Sequence, residues 1–323
     1  MKHHRGKQMR AVQIKKHGAT ETVEFMENVP EPQINDTQVL VAVHAMSINP
    51  VDYKFRQGMA GFKGEKFPLT LGGDFSGVVA QIGNAVTTLK PGDPVYGYAF
   101  VLNGGSGAFS EFVASNEKNT AMKPVNATFY EAAALPLTGT SAVQSLEEMI
   151  KIKNGQKILI HGGAGGIGSI AIQIARKKGA FIATTVSAKD ISFVKEIGAD
   201  IAIDYKTQRF DEILRDYDAV FDTVGGETYL RSFNILKKGG VINSMLESPD
   251  EKLVNKYDVR ALSQFTITNN VRLDRLKEYV DSGDVKPYVD RIFDLENIRE
   301  AFRYFETEHH RGKVVLRTQN VNS

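Results

Sequence analysis

The stretch from Lys157 to Ser187 constrains the fold of this chain more than any other. It reads KILIHGGAGGIGSIAIQIARKKGAFIATTVS, and this pattern predicts a strand, a glycine-rich turn, a helix and a second strand. Gly163, Gly165 and Gly168 satisfy the spacing G-x-G-x-x-G. Glycine permits the tight turn and lets backbone amides approach a pyrophosphate, whose charge the start of the next helix attracts. The stretch therefore predicts a dinucleotide-binding site.

The phosphate site is assigned to six consecutive residues of this turn and the helix that follows it. They are Gly163, Ala164, Gly165, Gly166, Ile167 and Gly168.

The end of the second strand indicates which dinucleotide binds. An NAD site usually carries an acid there, about twenty residues past the glycines, to hold the ribose 2′-hydroxyl. This chain has Ser187 and Lys189 instead, and a hydroxyl and a cation suit a 2′-phosphate that a carboxylate would repel. Asp190 comes slightly later and precedes an apolar helical pattern, so we interpret it as a helix cap. The spacing favours NADPH over NADH.

Charge and composition exclude several classes of protein. Forty basic and thirty-eight acidic side chains leave a net charge of +2, which gives no electrostatic footprint for nucleic acid. The chain has no cysteine, so it has neither disulfides nor thiolate ligands, and a cytoplasmic location is expected. No apolar run approaches a membrane span of about twenty residues. Residues 1–8, ahead of a second methionine, are interpreted as a vector remnant or a frayed extension.

Secondary-structure patterns change along the chain. The first third is rich in β-formers and turn residues, and from about Glu131 helices and strands alternate, which indicates a parallel sheet covered on both faces. Predicted strands include 39–46, 77–82, 157–161, 181–186, 218–224, 241–245, 289–293 and 313–317, and predicted helices include 130–134, 141–150, 191–197, 229–237, 272–282 and 296–305.

Four segments carry a family resemblance. They are SINPVDYKFRQG (Ser47–Gly58), FPLTLGGDFSGVVAQIG with KPGDPVYG (within 67–97), AALPLTGTSA (Ala133–Ala142), and DAVFDTVGG with HRGKVVL (Asp218–Gly226 and His310–Leu316). In this order they resemble the zinc-independent quinone oxidoreductase branch of the medium-chain dehydrogenase/reductase superfamily, over essentially all of residues 9–317.

The resemblance implies an α/β fold made of a GroES-like β-barrel catalytic domain and a Rossmann doubly wound parallel sheet. Residues 1–132 would form the N-terminal part of the catalytic domain, 133–272 the NADPH-binding domain, and 273–323 a C-terminal return to the catalytic domain. It also implies NADPH as cofactor and a homodimer.

The chain departs from the zinc-dependent members of the superfamily at the metal ligands. Those enzymes have a catalytic cysteine where this chain has Asn49, and Gly-His-Glu where it has Gly72, Gly73 and Asp74. Zinc needs three or four ligands that converge at about 2 Å, so no metal site is expected. Asp74 is interpreted as a buried, hydrogen-bonded acid in a turn.

Chemistry without a metal favours an electron-poor acceptor. A quinone or an enone accepts hydride at carbon and needs only modest stabilisation of the oxygen where charge develops, whereas oxidation of an alcohol would lose its Lewis acid. By resemblance, Asn49 lies near the nicotinamide and bonds it or the substrate oxygen; alternatively, Asn49 and Pro50 only shape a turn. Asp52 and Tyr53 follow in the same segment, and the phenol of Tyr53 is a possible proton donor.

Six further cofactor contacts are carried over by position. Thr138 and Thr140 match the segment beneath the nicotinamide, and Tyr205 matches a tyrosine beside the adenosine phosphate. Val224 and Gly225 close the fourth strand over the adenosine side. Lys313 reaches back to the phosphates; alternatively, only its backbone is needed, to pair within the sheet.

Two other functions remain open. An enoyl-thioester reductase usually has a tyrosine just after the turn Arg56-Gln57-Gly58, where this chain has Met59, Ala60 and Phe62. A protein that binds NADPH without turnover is the second alternative, and the intact glycine motif argues against it. The sequence thus predicts a small-molecule substrate, a quinone or an enone, and no nucleic-acid or membrane partner.

Overall fold

Segments that are distant in sequence combine into two compact units. The computed structural model describes residues 7–59 and 66–318. The first unit comprises Met1–Leu137, Thr268–Asp281 and Tyr288–Ser323, and the second comprises Thr138–Ile267 and Ser282–Pro287. The functional domain boundaries given above stay a prediction. Of residues 1–8, interpreted as a remnant or a frayed extension, 1–6 lie outside the described residues, whereas Gln8 pairs with Pro30 and is not frayed. Ala60 and Phe62, which bear on the thioester alternative, also lie outside the described residues.

The first unit is built mainly from antiparallel strands. Its strands are β1 (Gln8–Ile14), β2 (Val23–Pro30), β3 (Gln38–Ser47), β4 (Leu69–Thr70), β5 (Asp74–Ile82), β6 (Pro94–Tyr98), β7 (Phe112–Asn116), β8 (Thr120–Met122), β15 (Val289–Asp294) and β16 (Lys313–Arg317). One sheet has the order β2-β1-β4, and a larger one has the order β15-β16-β3-β5-β6-β8, with β7 paired to β3. Late strands of the sequence therefore join this sheet beside an early one, because β16 pairs with β3.

Helices cover this sheet unit at a few positions. They are α1 (Pro50–Arg56), α2 (Phe129–Ala133), α9 (Asn270–Asp281) and α10 (Ile298–Thr307). α10 presents Ile298, Ala301 and Phe302 to the same apolar core as Phe55 and Phe75, at the spacing expected of one helix face. This core fixes α1, which carries two of the predicted catalytic residues, Asp52 and Tyr53.

The second unit is a parallel sheet. Its strands are β9 (Lys157–His161), β10 (Phe181–Val186), β11 (Ile201–Asp204), β12 (Tyr217–Asp222), β13 (Leu236–Ser244) and β14 (Arg260–Ser263). Their order is β11-β10-β9-β12-β13-β14, and each neighbouring pair is parallel. A GroES-like sheet domain with a Rossmann-type parallel sheet confirms the predicted fold class.

Helices connect the parallel strands of this unit. They are α3 (Pro136–Val143, which begins in the first unit), α4 (Gly166–Lys177), α5 (Ile191–Glu196), α6 (Phe210–Ile213), α7 (Gly226–Ser232) and α8 (Glu251–Tyr257). α4 buries Ile170, Ile172 and Ile174, and leaves Lys177 exposed. None of the helices in the two described ranges combines the length and apolar character that a membrane crossing requires.

Two predicted helices differ from the structure. The helix predicted for 229–237 is wrong at its end, because Leu236 pairs with Tyr217 and already belongs to β13. The helix predicted for 141–150 changes to a π-helix over Gln144–Met149, where the Ile150 amide bonds the Ser145 carbonyl at 2.8 Å. At Leu236, strand pairing overrides the helix propensity of the local sequence. At Gln144–Met149, the side chains of the π-helix make contacts with other parts of the unit.

Candidate functional site

The carboxyl ends of four adjacent parallel strands gather most of the predicted cofactor residues. The glycine loop, residues 162–168, follows β9, and Ser187 follows β10 on the neighbouring strand. Tyr205 follows β11, and Val224 lies two residues beyond β12. Ligands of open α/β sheets bind at this edge, so these positions lie where a dinucleotide would bind, and their contact with it stays a prediction.

The glycine loop is packed too closely to hold side chains at two positions. A Cβ on Gly163 would lie 2.1 Å from Thr184 Oγ1, and a Cβ on Gly168 would lie 2.2 Å from the Gly162 carbonyl oxygen. A Cβ on Gly165 would meet that oxygen at 3.4 Å, an ordinary contact. Gly163 and Gly168 are thus required by packing inside the loop, whereas Gly165 has room for a Cβ at ordinary contact distance.

The loop ends in the start of a twelve-residue helix. Gly165 is the N-cap of α4, and Gly166 and Ile167 begin the helix. The first amides of a helix have no partner within it and carry the positive end of its dipole. Ala164 is buried beside them. Backbone amides, a helix start and a loop closed to side chains fit the pyrophosphate of a dinucleotide.

The residues predicted to bind the 2′-phosphate differ in their surroundings. Lys189 is exposed, as a phosphate ligand at this edge would be. Ser187 is buried, and its hydroxyl donates a hydrogen bond to Asp190 Oδ2 at 2.6 Å. Asp190 occupies the N-cap position of α5, as predicted, but makes no side-chain capping hydrogen bond. The acid therefore binds the serine rather than the helix amides.

The other predicted contacts on the adenosine side have exposed side chains or backbone amides that bond a carboxylate. Tyr205 is 60% exposed, and Val224 is 49% exposed. The amides of Val224 and Gly225 both donate to Asp222 Oδ1 at 3.0 Å, and the Gly226 amide donates to Glu247 Oε1 at 2.7 Å. Asp222 shapes this turn and was missed in the sequence, although an acid at the end of a buried strand is a recognisable signal.

Thr138 and Thr140 lie in α3 and are both buried. The same segment continues into the π-helix, where Gln144 Nε2 donates to the Phe265 carbonyl at 3.1 Å. The assignment of both threonines to the nicotinamide stays a prediction.

A second group of polar residues lies inside the first unit. We name it the buried polar cluster: Ser47, Asn49, Asp52, Asp74 and Lys313. Asp74 Oδ2 accepts from Ser47 Oγ at 2.9 Å and from Asn49 Nδ2 at 2.8 Å. Lys313 Nζ donates to Asn49 Oδ1 at 2.5 Å and to the Ile48 carbonyl at 2.6 Å. Asp74 is buried and hydrogen-bonded, as predicted, although it begins β5 rather than lying in a turn.

This arrangement changes the interpretation of two predicted residues. Asn49 is fully buried and uses both ends of its amide to join Asp74 and Lys313. It also precedes α1 as its N-cap, so the turn-shaping alternative describes its backbone. Lys313 is 3% exposed and lies 3.6 Å from Asp74. Its partners are thus interior groups of the first unit, and the expected contact with phosphates is not supported by its position.

Asp52 has an unusual environment at the start of α1. Its Oδ2 accepts from the Asn49 amide at 2.7 Å, but Oδ1 is buried without a hydrogen-bond partner in the described chain. Burial raises the pKa of Asp52 to about 7. Burial also raises the pKa of Asp74 and lowers that of Lys313. The loss of water drives all three groups toward their neutral forms, whereas the attraction between Lys313 and Asp74 favours their charged forms.

Tyr53 is the most accessible of the three predicted catalytic side chains. It is half-buried and packs against Phe305 with ring centroids 6.3 Å apart. Met59, at the end of the same segment, is 68% exposed. The next positions of that comparison, Ala60 and Phe62, lie outside the described residues.

The donor set of this cluster does not fit zinc. In the described ranges no three residues of the types His, Cys, Asp and Glu are placed to hold a metal ion. Asn49 and Gly73 stand where the zinc enzymes have ligands, and the ammonium of Lys313 lies 3.6 Å from Asp74. That ammonium would repel a divalent cation beside the one remaining carboxylate.

Two family models match separate parts of the chain. The alcohol dehydrogenase GroES-like domain matches residues 35–125, and a domain described as zinc-binding dehydrogenase matches residues 197–316. A 2-methylene-furan-3-one reductase of Solanum lycopersicum is 35% identical, over 96% of this chain and 79% of that protein.

Two further relatives resemble the chain over nearly its whole length. The chloroplastic NADPH-dependent alkenal/one oxidoreductase of Arabidopsis thaliana is 35% identical, over 96% of this chain and 80% of that protein. The structure of the quinone oxidoreductase from Coxiella burnetii is 33% identical with a TM-score of 0.88, over 96% of this chain and 99% of that one. Fold, glycine loop and relatives coincide, and the chain belongs to the quinone oxidoreductase branch of the medium-chain dehydrogenase/reductase superfamily.

Proposed function

We propose that this protein is an NADPH-dependent reductase that transfers hydride to a quinone or to an α,β-unsaturated carbonyl compound without zinc. The relatives reported above are named as a 2-methylene-furan-3-one reductase, an alkenal/one oxidoreductase and a quinone oxidoreductase. One of them is named as NADPH-dependent. These names support an electron-poor acceptor and this cofactor.

The observation that carries the proposal is the glycine loop at the carboxyl edge of the parallel sheet. Its amides and the start of α4 would hold the pyrophosphate, and Lys189 and Ser187 would hold the 2′-phosphate. Thr138, Thr140, Tyr205, Val224 and Gly225 are the remaining proposed contacts. NADPH, when bound, supplies the hydride.

The chain's own residues have two tasks in this reaction. Hydride addition to an enone carbon leaves an enolate, which must then take up one proton. Tyr53 is the proposed proton donor, because its phenol lies on a half-buried ring at the surface of α1. Asn49 and Asp52 are proposed to act from inside the buried polar cluster, where Asn49 fixes the start of α1 and Asp52 binds its amide. Their contribution is position rather than contact.

An acceptor panel tests this function. Purified protein with NADPH is offered quinones, enones and enoyl thioesters, and NADP⁺ is offered with ethanol and a secondary alcohol. We expect turnover of quinones or enones that survives exhaustive chelation, and none of the alcohols. Turnover of enoyl thioesters alone would assign the protein to the thioester reductases. NADPH binding without turnover would make it a cofactor-binding protein.

Assembly and location are proposed as well. We expect a homodimer, which sedimentation at several concentrations tests. We also expect a cytoplasmic protein, and cell fractionation tests this against the organelle locations that the names of some relatives state.

A further inference from the structure

His161 is a buried titratable residue that the glycine motif does not explain. It is the last residue of β9 and directly precedes the glycine loop. Its side chain is fully buried, and its ring lies edge-on against Phe210 with centroids 4.8 Å apart. Its Nδ1 lies 2.9 Å from Thr185 Oγ1, and its Nε2 lies 2.9 Å from Ser232 Oγ. Both ring nitrogens are therefore satisfied by hydroxyl groups.

The direction of these hydrogen bonds fixes the tautomer of the ring. Ser232 Oγ donates its hydrogen to the Thr228 carbonyl at 2.7 Å, so it can only accept from His161. Nε2 must then carry the ring hydrogen, and Nδ1 must accept. Thr185 Oγ1 consequently donates to Nδ1. The chain of bonds runs in one direction, from Thr185 through His161 to Ser232.

The same threonine holds the first residues of the glycine loop. The Gly162 amide points at Thr185 Oγ1 at 3.4 Å, and the Gly163 amide donates to the Thr185 carbonyl at 3.2 Å. On the other side, Thr223 Oγ1 donates to the His161 carbonyl at 2.9 Å. The loop thus leaves β9 between two threonines, and His161 sets which way the hydroxyl of Thr185 points.

Two charged groups near the ring act on its pKa in opposite directions. Asp222 acts to raise the pKa of His161 and Arg231 acts to lower it, but burial is the dominant effect and lowers that pKa to about 4. A neutral ring has one donor and one acceptor, which is what the two hydroxyls require. A second ring hydrogen would remove the acceptor that orients Thr185.

We propose that His161 is a positioning residue for dinucleotide binding, which acts through Thr185 to hold the first turn of the glycine loop. The ring is neutral, with its hydrogen on Nε2. This inference rests on the proposed function in that the loop is taken to bind NADPH. It extends the binding site to a side chain that has no contact with the loop's ligand-facing amides.

The first test needs no cofactor. NMR correlation of the ring nitrogens in the free, full-length protein should show a protonated Nε2 and an unprotonated Nδ1 at neutral pH. A ring protonated at Nδ1 would overturn the proposal, because Thr185 could not then donate to it. This result stands whether or not NADPH binds.

The second test separates positioning from simple packing. In His161→Asn the amide oxygen takes the place of Nδ1 and can accept from Thr185, whereas in His161→Gln the amide reaches toward Ser232. Both variants replace the buried ring by a smaller amide side chain, so we expect similar losses in thermal stability. NADPH dissociation constants should diverge, with His161→Gln about tenfold weaker than His161→Asn.

Two hydroxyl deletions complete the comparison. Thr185→Val keeps the side-chain shape and should weaken NADPH binding about tenfold, whereas Ser232→Ala should weaken it less than about threefold. Dissociation constants that follow thermal stability across all four variants would overturn the positioning role. Wild-type protein that does not bind NADPH at all would refute the proposed function, and the ring tautomer would still be decided by NMR.

Discussion

The buried polar cluster of the first unit and the hydrogen bonds around His161 in the second both remove titratable groups from water, but they balance this in different ways. The cluster holds two carboxylic acids and one ammonium, and one acid oxygen of Asp52 has no partner in the described chain. The ring of His161 is neutral and uses both nitrogens. In the cluster, charge compensation leaves one buried polar atom without a hydrogen bond to any described residue. The neutral donor–acceptor chain through His161 leaves both ring nitrogens satisfied.

The two regions consequently respond to pH in opposite directions. Burial raises the pKa of Asp52 from 3.8 to about 7, so its contribution to stability is complete below pH 3.8 and is lost as pH rises through about 7. Burial lowers the pKa of His161 from 6.5 to about 4, so its contribution is complete above pH 6.5 and is lost as pH falls through about 4.

The largest expected effect is on the charge balance of the cluster. Lys313→Met removes the cation next to Asp74, and we expect a loss of about 3–5 kcal/mol in the free energy of unfolding, because a buried carboxylate is left uncompensated. Urea unfolding measures it. The double variant Lys313→Met with Asp74→Asn should recover part of that loss. A single variant within about 1 kcal/mol of wild type would contradict an ionised pair.

A smaller effect is expected in the glycine loop. Gly163→Ala places a Cβ 2.1 Å from Thr184 Oγ1, and we expect it to lower the free energy of unfolding by about 1–3 kcal/mol. Gly165→Ala is the matched control, because its nearest contact would be 3.4 Å. It should change stability by less than about 1 kcal/mol. Equal losses in urea unfolding would mean that the loop relaxes around either side chain.

A ligand-specific effect is expected at the sheet edge. Lys189→Ala should weaken NADPH binding by about 1–2 kcal/mol and leave NADH nearly unchanged, because only NADPH carries the 2′-phosphate. Ser187→Ala should have the smaller effect, since its hydroxyl already donates to Asp190. Titration of both cofactors measures these differences. Equal losses for NADPH and NADH would place Lys189 outside the phosphate site.

The most gradual expected effect is the pH dependence of Asp52, because it is spread over about three pH units. In wild type its raised pKa lowers stability with rising pH between about 4 and 7, by about 1 kcal/mol per pH unit. Asp52→Asn cannot ionise and should remove this contribution, so the free energy of unfolding of the variant minus that of wild type should rise with pH over this range. The opposite contribution of His161 cancels in that difference. Unfolding free energies at half-unit steps of pH measure it. An unchanged slope would show that another group titrates in this range.

How far the sequence could predict each region depends on the range of its contacts. The glycine loop was predicted residue by residue, because turn, helix start and strands lie within one short stretch. The end of β13 was not, because Leu236 is fixed by pairing with Tyr217 rather than by its neighbours. The helical pattern of residues 229–237 gives no indication of that pairing.

Candidate site residues show the same limit. Asn49 was identified by its position, but its bonds to Asp74 and Lys313 join parts of the chain that are 25 and 264 residues away. No local pattern reports such a contact. The tautomer of His161 was equally hidden, since it depends on a hydroxyl of α7.

The position of Lys313 has a consequence for biosynthesis. β16, which carries it, pairs with β3, a strand that is translated much earlier. A growing polypeptide therefore exposes β3, Asp52 and Asp74 long before their partner strand is translated, while the segment that forms the parallel sheet is already complete. The second unit can form its sheet on the ribosome before β16 is translated, whereas the first must wait for that strand. Chaperones would meet the nascent chain with its amino-terminal acids still lacking a counter-charge.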